Sequence, residues 1–101
     1  MIEGDVAMGM IFNINVDGIK GTTATDIMIE VSGSPLRFYA STMPNGTPGG
    51  TFLDVQAGQS ITKTAEEFIT LLGLNDTNKY LNVQNIGAMN GHYKITLDDL
   101  Q

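Results

Sequence analysis

This chain lacks, or is poor in, several residue types that carry common protein chemistry. Its 101 residues include no cysteine, no tryptophan and a single histidine, His92. The absence of cysteine excludes disulfide bonds and thiolate metal sites. A zinc site would need carboxylates around that one histidine, which is an uncommon set of zinc ligands. The sequence therefore predicts a domain that is stabilised by an apolar core, with no metal site and no cofactor.

Positive charge is also scarce. Five basic residues stand against eleven acidic ones, which gives a formal net charge of −6, and the basic residues are scattered singly. Proteins that bind nucleic acids need clustered lysine and arginine to replace the counterions of the phosphates. The composition therefore argues against a nucleic-acid partner and favours an acidic surface that keeps the protein soluble.

Long apolar runs are missing as well. No run approaches the roughly 18 residues of a membrane-spanning helix. The first charged residues, Glu3 and Asp5, are acidic, whereas a signal peptide begins with a basic region. We therefore expect no membrane partner, and a protein that is made and kept in the cytoplasm or released without a cleaved signal.

Alternation of apolar and polar residues is the main pattern that the chain does contain. In residues 6–16 every second residue is apolar, which predicts one strand whose Met8 and Met10 fill the core. Shorter alternating segments follow, separated by turn-forming residues, as is typical of strands. These segments cover residues 25–31, 36–41, 51–55, 80–85 and 92–97, and residues 61–64 are a short edge strand or a lead-in to the next segment.

The last two segments are joined by six residues that include the turn pair Asn90-Gly91, and we predict that they form a hairpin. In this register His92 shares the polar face of a strand with Lys94 and Thr96, so alternation alone explains its position. A catalytic histidine needs an orienting acceptor and a nucleophile or water nearby. We therefore interpret His92 as an exposed structural residue and predict no catalytic residues.

One segment carries a helical signal, residues 65–72. Thr64 and Glu67 have the spacing of a capping box, in which each residue's side chain accepts from the backbone amide of the other. Apolar residues then recur with helical spacing, and Gly73 stands where a helix commonly ends in a left-handed glycine. A helix of about two turns is too short to be stable alone, so its apolar side must lie on the sheets.

Together these patterns predict an all-β fold in a single domain over residues 1–101. The predicted architecture is an antiparallel β-sandwich of six to seven short strands with one short helix near residues 65–72. The spacing of the turn signals matches sandwiches and small barrels. The pattern lacks the long crossover helices of a parallel α/β fold.

Some apolar residues fall on strand faces that should point outward. Ile11, Met28 and Tyr39 each interrupt the polar side of an alternating strand. Apolar side chains outside a small sandwich often mark a contact surface, although scattered surface apolar residues are also normal. We therefore predict a protein interface that combines these three residues with a loop rich in proline and glycine. The loop residues of this predicted interface are Met43, Pro44, Asn45 and Pro48.

The run AGQSITKTAEE, followed later by YLNVQNIGAMNGHYKITL, places an apolar-Gly-x-Ser turn before a C-terminal pair of strands. In size and in this run the chain resembles the small sandwich proteins, immunoglobulin-like or jelly-roll-like, that decorate or cement the capsids of tailed phages. The resemblance implies a non-enzymatic virion accessory protein, made in the host cytoplasm and located on the virion surface. It also implies a homo-oligomer whose protein partners are shell subunits, and it assigns no binding residue.

Two other function classes remain open. A carbohydrate-binding or adhesive module would stack sugar rings on exposed aromatic side chains, for which the chain offers Tyr39, Tyr80 and Tyr93 but no tryptophan. A small hydrolase would need a catalytic triad, and one histidine without an activated nucleophile argues against it. The carbohydrate-binding module is therefore the second hypothesis, after the assembly protein.

Overall fold

The computed structural model describes residues 2–14, 26–43, 46, 51–74 and 77–98. Eight strands and one helix form within these ranges. In chain order they are β1 (Ile2–Val6), β2 (Ile11–Ile14), β3 (Asp26–Ser32), β4 (Leu36–Ser41), β5 (Leu53–Val55), β6 (Ser60–Thr64), α1 (Ala65–Leu72), β7 (Tyr80–Asn85) and β8 (Gly91–Asp98).

The strands form two four-stranded antiparallel sheets. The first sheet has the order β1-β8-β3-β6, and the second has the order β2-β7-β4-β5. The pairing is nested, because β1 pairs with β8, β2 with β7, β3 with β6 and β4 with β5. Eight strands rolled into two facing sheets in this way form a jelly roll. The predicted all-β antiparallel sandwich is confirmed.

The strand number exceeds the predicted six to seven partly because the first alternating segment contains two strands. Residues 7–10 form a turn between β1 and β2, in which the Met10 amide donates to the Ala7 carbonyl at 2.9 Å. Gly9 has a φ of 77° there, a left-handed conformation that a continuous strand does not contain. The prediction that Met8 and Met10 fill the core is wrong, since both side chains are exposed.

The last two strands do not form a hairpin, so that prediction is also wrong. Strand β7 pairs with β2 and β4 in one sheet, whereas β8 pairs with β1 and β3 in the other. Residues 86–90 cross from one sheet to the other, a distance of roughly 10 Å in packed sheets. Alternation specifies which face of a strand is buried, but it does not specify the neighbours of that strand.

The core lies between the two sheets and is built from the buried faces of their strands. Phe38 of one sheet meets Tyr93 of the other edge to face, with ring centroids 6.2 Å apart, a favourable arrangement for aromatic rings. The buried apolar residues that the strands contribute are Val6, Ile14, Ile27, Ile29, Val31, Leu36, Phe38, Ala40, Val55, Leu81, Val83, Tyr93 and Ile95.

Helix α1 closes one end of the sandwich, where Phe68 and Leu72 enter the core. The predicted capping box is present. The Glu67 amide donates to Thr64 Oγ1 at 3.1 Å, and the Thr64 amide donates to Glu67 Oε1 at 3.0 Å and thereby lowers the pKa of Glu67. Gly73 ends the helix with a φ of 71°. The helix and both of its caps are therefore confirmed.

Replacing Thr64 with alanine removes the side-chain cap of α1. We expect the free energy of unfolding to fall by about 1 kcal/mol, because the Glu67 amide loses its acceptor. Urea denaturation followed by circular dichroism measures this change. Thr64→Ser keeps the hydroxyl and is expected to stay close to wild type. An equal loss in both variants would contradict the role of the cap.

Candidate functional site

The residues of the predicted interface do not come together on one surface. Met28 alternates with the buried Ile27 and Ile29, so it lies on the outer face of the first sheet. Ile11 pairs with Gln84 on the outer face of the second sheet. Because the two sheets face each other, these outer faces point to opposite sides of the molecule. The expectation of one patch that contains both residues is therefore wrong.

Tyr39 is not accessible, so the prediction that it is an exposed contact is wrong. Its exposed fraction is 2%, and burial raises the pKa of its phenol. It lies on the outer side of β4, in register with Asn82 of β7. Asn82 Nδ2 donates to Ser41 Oγ at 2.8 Å, and both of these residues are buried too. This part of the outer face is thus enclosed rather than open to a partner.

The loop residues of the predicted interface fall into two groups. Met43 is 68% exposed and follows β4 at the end of the sandwich that α1 closes. Pro44, Asn45 and Pro48 lie outside the residues that the structure describes. A role of these residues at an interface stays a prediction.

A different surface carries most of the large exposed apolar side chains in the described part of the chain. Four loops meet at the end of the sandwich opposite α1, and we call this surface the loop end. At this end Val6 of β1 pairs with Gly91 of β8. Leu36 of β4 pairs there with both Asn85 and Val55. The loops are residues 7–10, 33–35, 56–59 and 86–90.

The loop end is apolar and uncharged. Its four large exposed apolar side chains are Met8 (59% exposed), Met10 (45%), Ile86 (37%) and Met89 (68%). None of the residues in the four loops is charged, although charged residues make up 16% of the chain. Charged residues are depleted and methionine is enriched at the centres of protein–protein interfaces, and flexible methionine suits adaptable binding surfaces. The loop end therefore has the composition of an interface centre.

The buried side chain of Asn85 ties the loops of this end together. Its Nδ2 donates to the carbonyl of Met89 at 2.7 Å and to that of Val6 at 2.9 Å. Its Oδ1 accepts from Ser34 Oγ and from the Gly87 amide, each at 2.9 Å. Both donors and both acceptor positions of the amide are thus in use. Since Asn85 is only 4% exposed, these bonds form away from water, where the loss of a partner is costly.

Further hydrogen bonds donated by backbone amides add to this arrangement. The backbone amide of Asn85 donates to the Met10 carbonyl at 3.0 Å. The backbone amide of Met8 donates to the side-chain Oδ1 of Asn90 at 3.3 Å. In the loop between β5 and β6, the Gly58 amide donates to a carbonyl of β3 at 2.8 Å. Loops that are held in this way need little further ordering when a partner binds, which lowers the entropic cost of association.

A second polar arrangement lies beside the loop end, on the outer face of the first sheet. His92 Nδ1 is 2.7 Å from Asp5 Oδ1, and His92 Nε2 is 2.8 Å from Glu3 Oε2. Hydrogen bonding to Asp5, and then to Glu3, raises the pKa of His92. Both ring nitrogens are engaged, so neither is left to activate a nucleophile. The predicted position of His92 on the polar face of its strand is confirmed.

A shallow groove with a volume of about 340 Å³ runs beside His92. Acidic and basic side chains alternate along it, because Lys94 lies between Glu3 and Glu30 in the register of the sheet. The groove therefore has no excess of one charge to select an ion. No group of three or more histidine, aspartate or glutamate side chains in the described ranges could hold a metal ion. The groove is a weaker candidate than the loop end.

The tyrosines that a carbohydrate-binding module would use are mostly enclosed. Tyr39 and Tyr93 are buried, so their rings cannot stack on a sugar. Tyr80 is half-buried, and Lys79 Nζ lies 5.6 Å from the centroid of its ring. The structure thus gives no specific support to the carbohydrate-binding hypothesis.

Sequence reasoning missed both Asn85 and the loop end. Alternation in β7 places Asn85 on the same side as the buried Leu81 and Val83. A polar amide at an inward position must find partners, and this signal could have identified it. The absence of charge from residues 7–10 and 86–90 is a second signal, but only the topology shows that these loops are neighbours.

Comparison of the chain with protein-family models, with curated proteins and with solved structures finds no significant match. Within the described ranges, no helix combines the length and the apolar character needed to cross a membrane. The function of the loop end is therefore inferred from its own chemistry.

Proposed function

We propose that the chain is a non-enzymatic assembly subunit that binds other proteins through its loop end. The observation that carries this proposal is the uncharged apolar surface of residues 7–10 and 86–90, held in place by the buried Asn85. A contiguous exposed apolar surface on a small domain often marks a site of interaction. The hydrogen bonds within the loops favour binding further, because they fix the surface before a partner arrives.

Within this class we propose a virion accessory role, in which the chain decorates or cements the capsid of a tailed phage at the virion surface. Jelly rolls occur in viral capsid domains as well as in lectins and cupins, so the architecture alone does not specify the function. The separation of the surface into an uncharged end and charged remaining parts supports the proposal. The charges lie outside the four loops, where they would face solvent, while the uncharged end would form the dry contact.

The proposed partner surface is an apolar, uncharged patch on a shell subunit. A charged partner group at the loop end would lose its water without gaining a counter-charge, since the four loops contain none, and that costs several kcal/mol per ion. Copies of the chain arranged around a symmetry axis would each contact neighbouring shell subunits. Binding to the assembled shell in preference to free subunits would then stabilise the shell by mass action.

The proposal is tested by sedimenting the purified chain with empty capsid shells of the virus that encodes it. We expect the wild-type chain to bind. The double variant Met8→Glu with Met89→Glu is expected to lose about a hundredfold or more in affinity, because two carboxylates would be buried without partners. Met43→Glu is the matched control, since Met43 and Met89 are both 68% exposed and lie at opposite ends of the sandwich.

Two results would contradict this assignment. The first is a wild-type chain that does not sediment with the shells. The second is a loss of binding in Met43→Glu that the double variant does not share, which would move the interface to the end that α1 closes. Thermal unfolding of every variant checks the fold, and we expect changes within about 0.5 kcal/mol because the replaced side chains are exposed.

A further inference from the structure

A polar contact next to the loop end fastens the first strand to the rest of its sheet. Strand β1 is an edge strand, and β8 is its only partner in the described part of the chain. Glu3 and Asp5 of β1 hold the His92 imidazole between them, at 2.8 Å and 2.7 Å. After Val6 the chain leads directly into residues 7–10, which carry two of the exposed methionines. The contact therefore restrains β1, the strand that leads into residues 7–10 of the loop end.

This geometry requires a doubly protonated imidazole. An ionised carboxylate can only accept hydrogen bonds, and a neutral imidazole has a single N–H to donate. Both ring nitrogens of His92 lie at hydrogen-bond distance from carboxylate oxygens, so both contacts can be hydrogen bonds only in the imidazolium form. Loss of the proton leaves a nitrogen lone pair facing a carboxylate, and one of the two bonds to β1 disappears.

The other groups around the site do not replace this interaction. Lys94 on β8 pairs in register with Glu3 on one side and with Glu30 of β3 on the other. Ser32 of β3 lies opposite His92 and carries no charge. No residue of the neighbouring loop 56–59 is charged. The two carboxylates of β1 are therefore the groups that respond to the charge on the imidazole.

The direction of the pH dependence follows from the surroundings of His92. Its pKa in the folded chain is raised above 6.5, first by the hydrogen bond to Asp5 and then by that to Glu3. The contribution of the contact is therefore complete below about pH 6.5 and is lost as the pH rises through the folded-state pKa. Burial, and then Asp5, raise the pKa of Tyr93 from 10, so the nearby phenol stays neutral in this range.

We propose that His92, Glu3 and Asp5 form a proton-dependent clasp that fastens β1 to β8 more tightly while the imidazole is protonated and loosens this contact when the proton is lost. The looser β1 increases the mobility of residues 7–10 and so weakens docking at the loop end. This consequence for docking rests on the proposed function, whereas the clasp itself does not.

The clasp is tested by NMR, with the ring signals of His92 and the hydrogen exchange of the β1 amides followed from about pH 5 to about pH 9. In the wild-type chain we expect the protection of the β1 amides, corrected for intrinsic exchange, to fall about two- to fivefold as His92 loses its proton. The double variant Glu3→Gln with Asp5→Asn is expected to shift the His92 pKa down toward 6.5 and to abolish the pH step. Glu30→Gln, which removes a nearby carboxylate from β3, should keep the step.

Each outcome decides a separate question. A His92 pKa that the double variant leaves unchanged, or β1 protection that does not follow the titration in wild type, would overturn the clasp. With shells present, the clasp predicts that the wild-type chain binds more weakly as His92 is deprotonated. It also predicts that binding by the double variant does not change over the same pH range. The β1 amides could follow the titration of His92 in a chain that binds no shell at any pH. That result would reject the proposed function but would support the clasp.

Discussion

Replacing Asn85 with alanine is expected to lower the free energy of unfolding by about 4 kcal/mol and the thermal midpoint by roughly 15 °C or more. The amide side chain has four hydrogen-bond partners in or near the core, and the substitution removes the hydrogen bond that each of them makes with it. These partners are the carbonyls of Val6 and Met89, the hydroxyl of Ser34 and the amide of Gly87. A polar group that loses its partner away from water costs about 1–3 kcal/mol. Thermal and urea unfolding measure the loss.

A second substitution at Asn85 separates lost hydrogen bonds from lost volume. In Asn85→Asp the carboxylate can still accept from Ser34 and Gly87, but it places negative charge against two carbonyl oxygens. We expect this variant to be at least as unstable as the alanine variant near neutral pH. It should regain stability as the pH falls, because burial raises the folded-state pKa of such a carboxyl. Gln84→Ala, at the neighbouring outward position, is the control, and a loss there as large as in Asn85→Ala would contradict the role of Asn85.

Replacing Gly33 with alanine is the second change with a large expected effect, a loss of about 3–4 kcal/mol. Gly33 has a φ of 82°, and a Cβ added to it would lie 2.5 Å from the Asn90 carbonyl oxygen. The left-handed conformation accounts for about 1–2 kcal/mol of this loss. The rest comes from the displacement of residues 86–90, because a backbone oxygen cannot rotate out of the way as a side chain can.

Gly58 provides a matched control for this substitution. It has the same φ of 82°, but a Cβ built on it meets no atom within 4 Å. We therefore expect Gly58→Ala to lose only about 1–2 kcal/mol, the cost of the backbone conformation. Urea denaturation of both variants measures the difference, which isolates the contact between the loops at Gly33 and Asn90. Equal losses in the two variants would show that these loops separate at little cost.

The buried faces of the strands could be predicted because alternation is a local property of a pleated chain. The inward positions of Phe38, Tyr93 and Ile95 follow from it directly. The helix could be predicted for a similar reason, since the contacts between Thr64 and Glu67 span a single turn. The neighbours of a strand depend on pairing between segments that are distant in the sequence. The alternation in β7 and β8 is equally compatible with a hairpin in one sheet and with strands in two different sheets.

The candidate site was harder to predict because accessibility depends on what lies above each residue in the folded chain. Tyr39 occupies an outward position of β4 and is nevertheless buried. Met8 and Met10 continue an apolar alternation and are nevertheless exposed, because Gly9 turns the chain between them. The loop end is assembled from four segments that are separate along the sequence, so no single stretch of sequence contains it.

The nested pairing of β1 with β8 also determines at what stage of synthesis the loop end can form. The side-chain contacts between β1 and β8 join residues that are 87 and 89 positions apart, and pairing at such separation is slow to form. While the ribosome is still adding β8, the nascent chain has neither the clasp nor residues 86–90 in place. A partly translated chain therefore lacks a complete loop end, and under the proposed function only fully folded molecules would bind a shell.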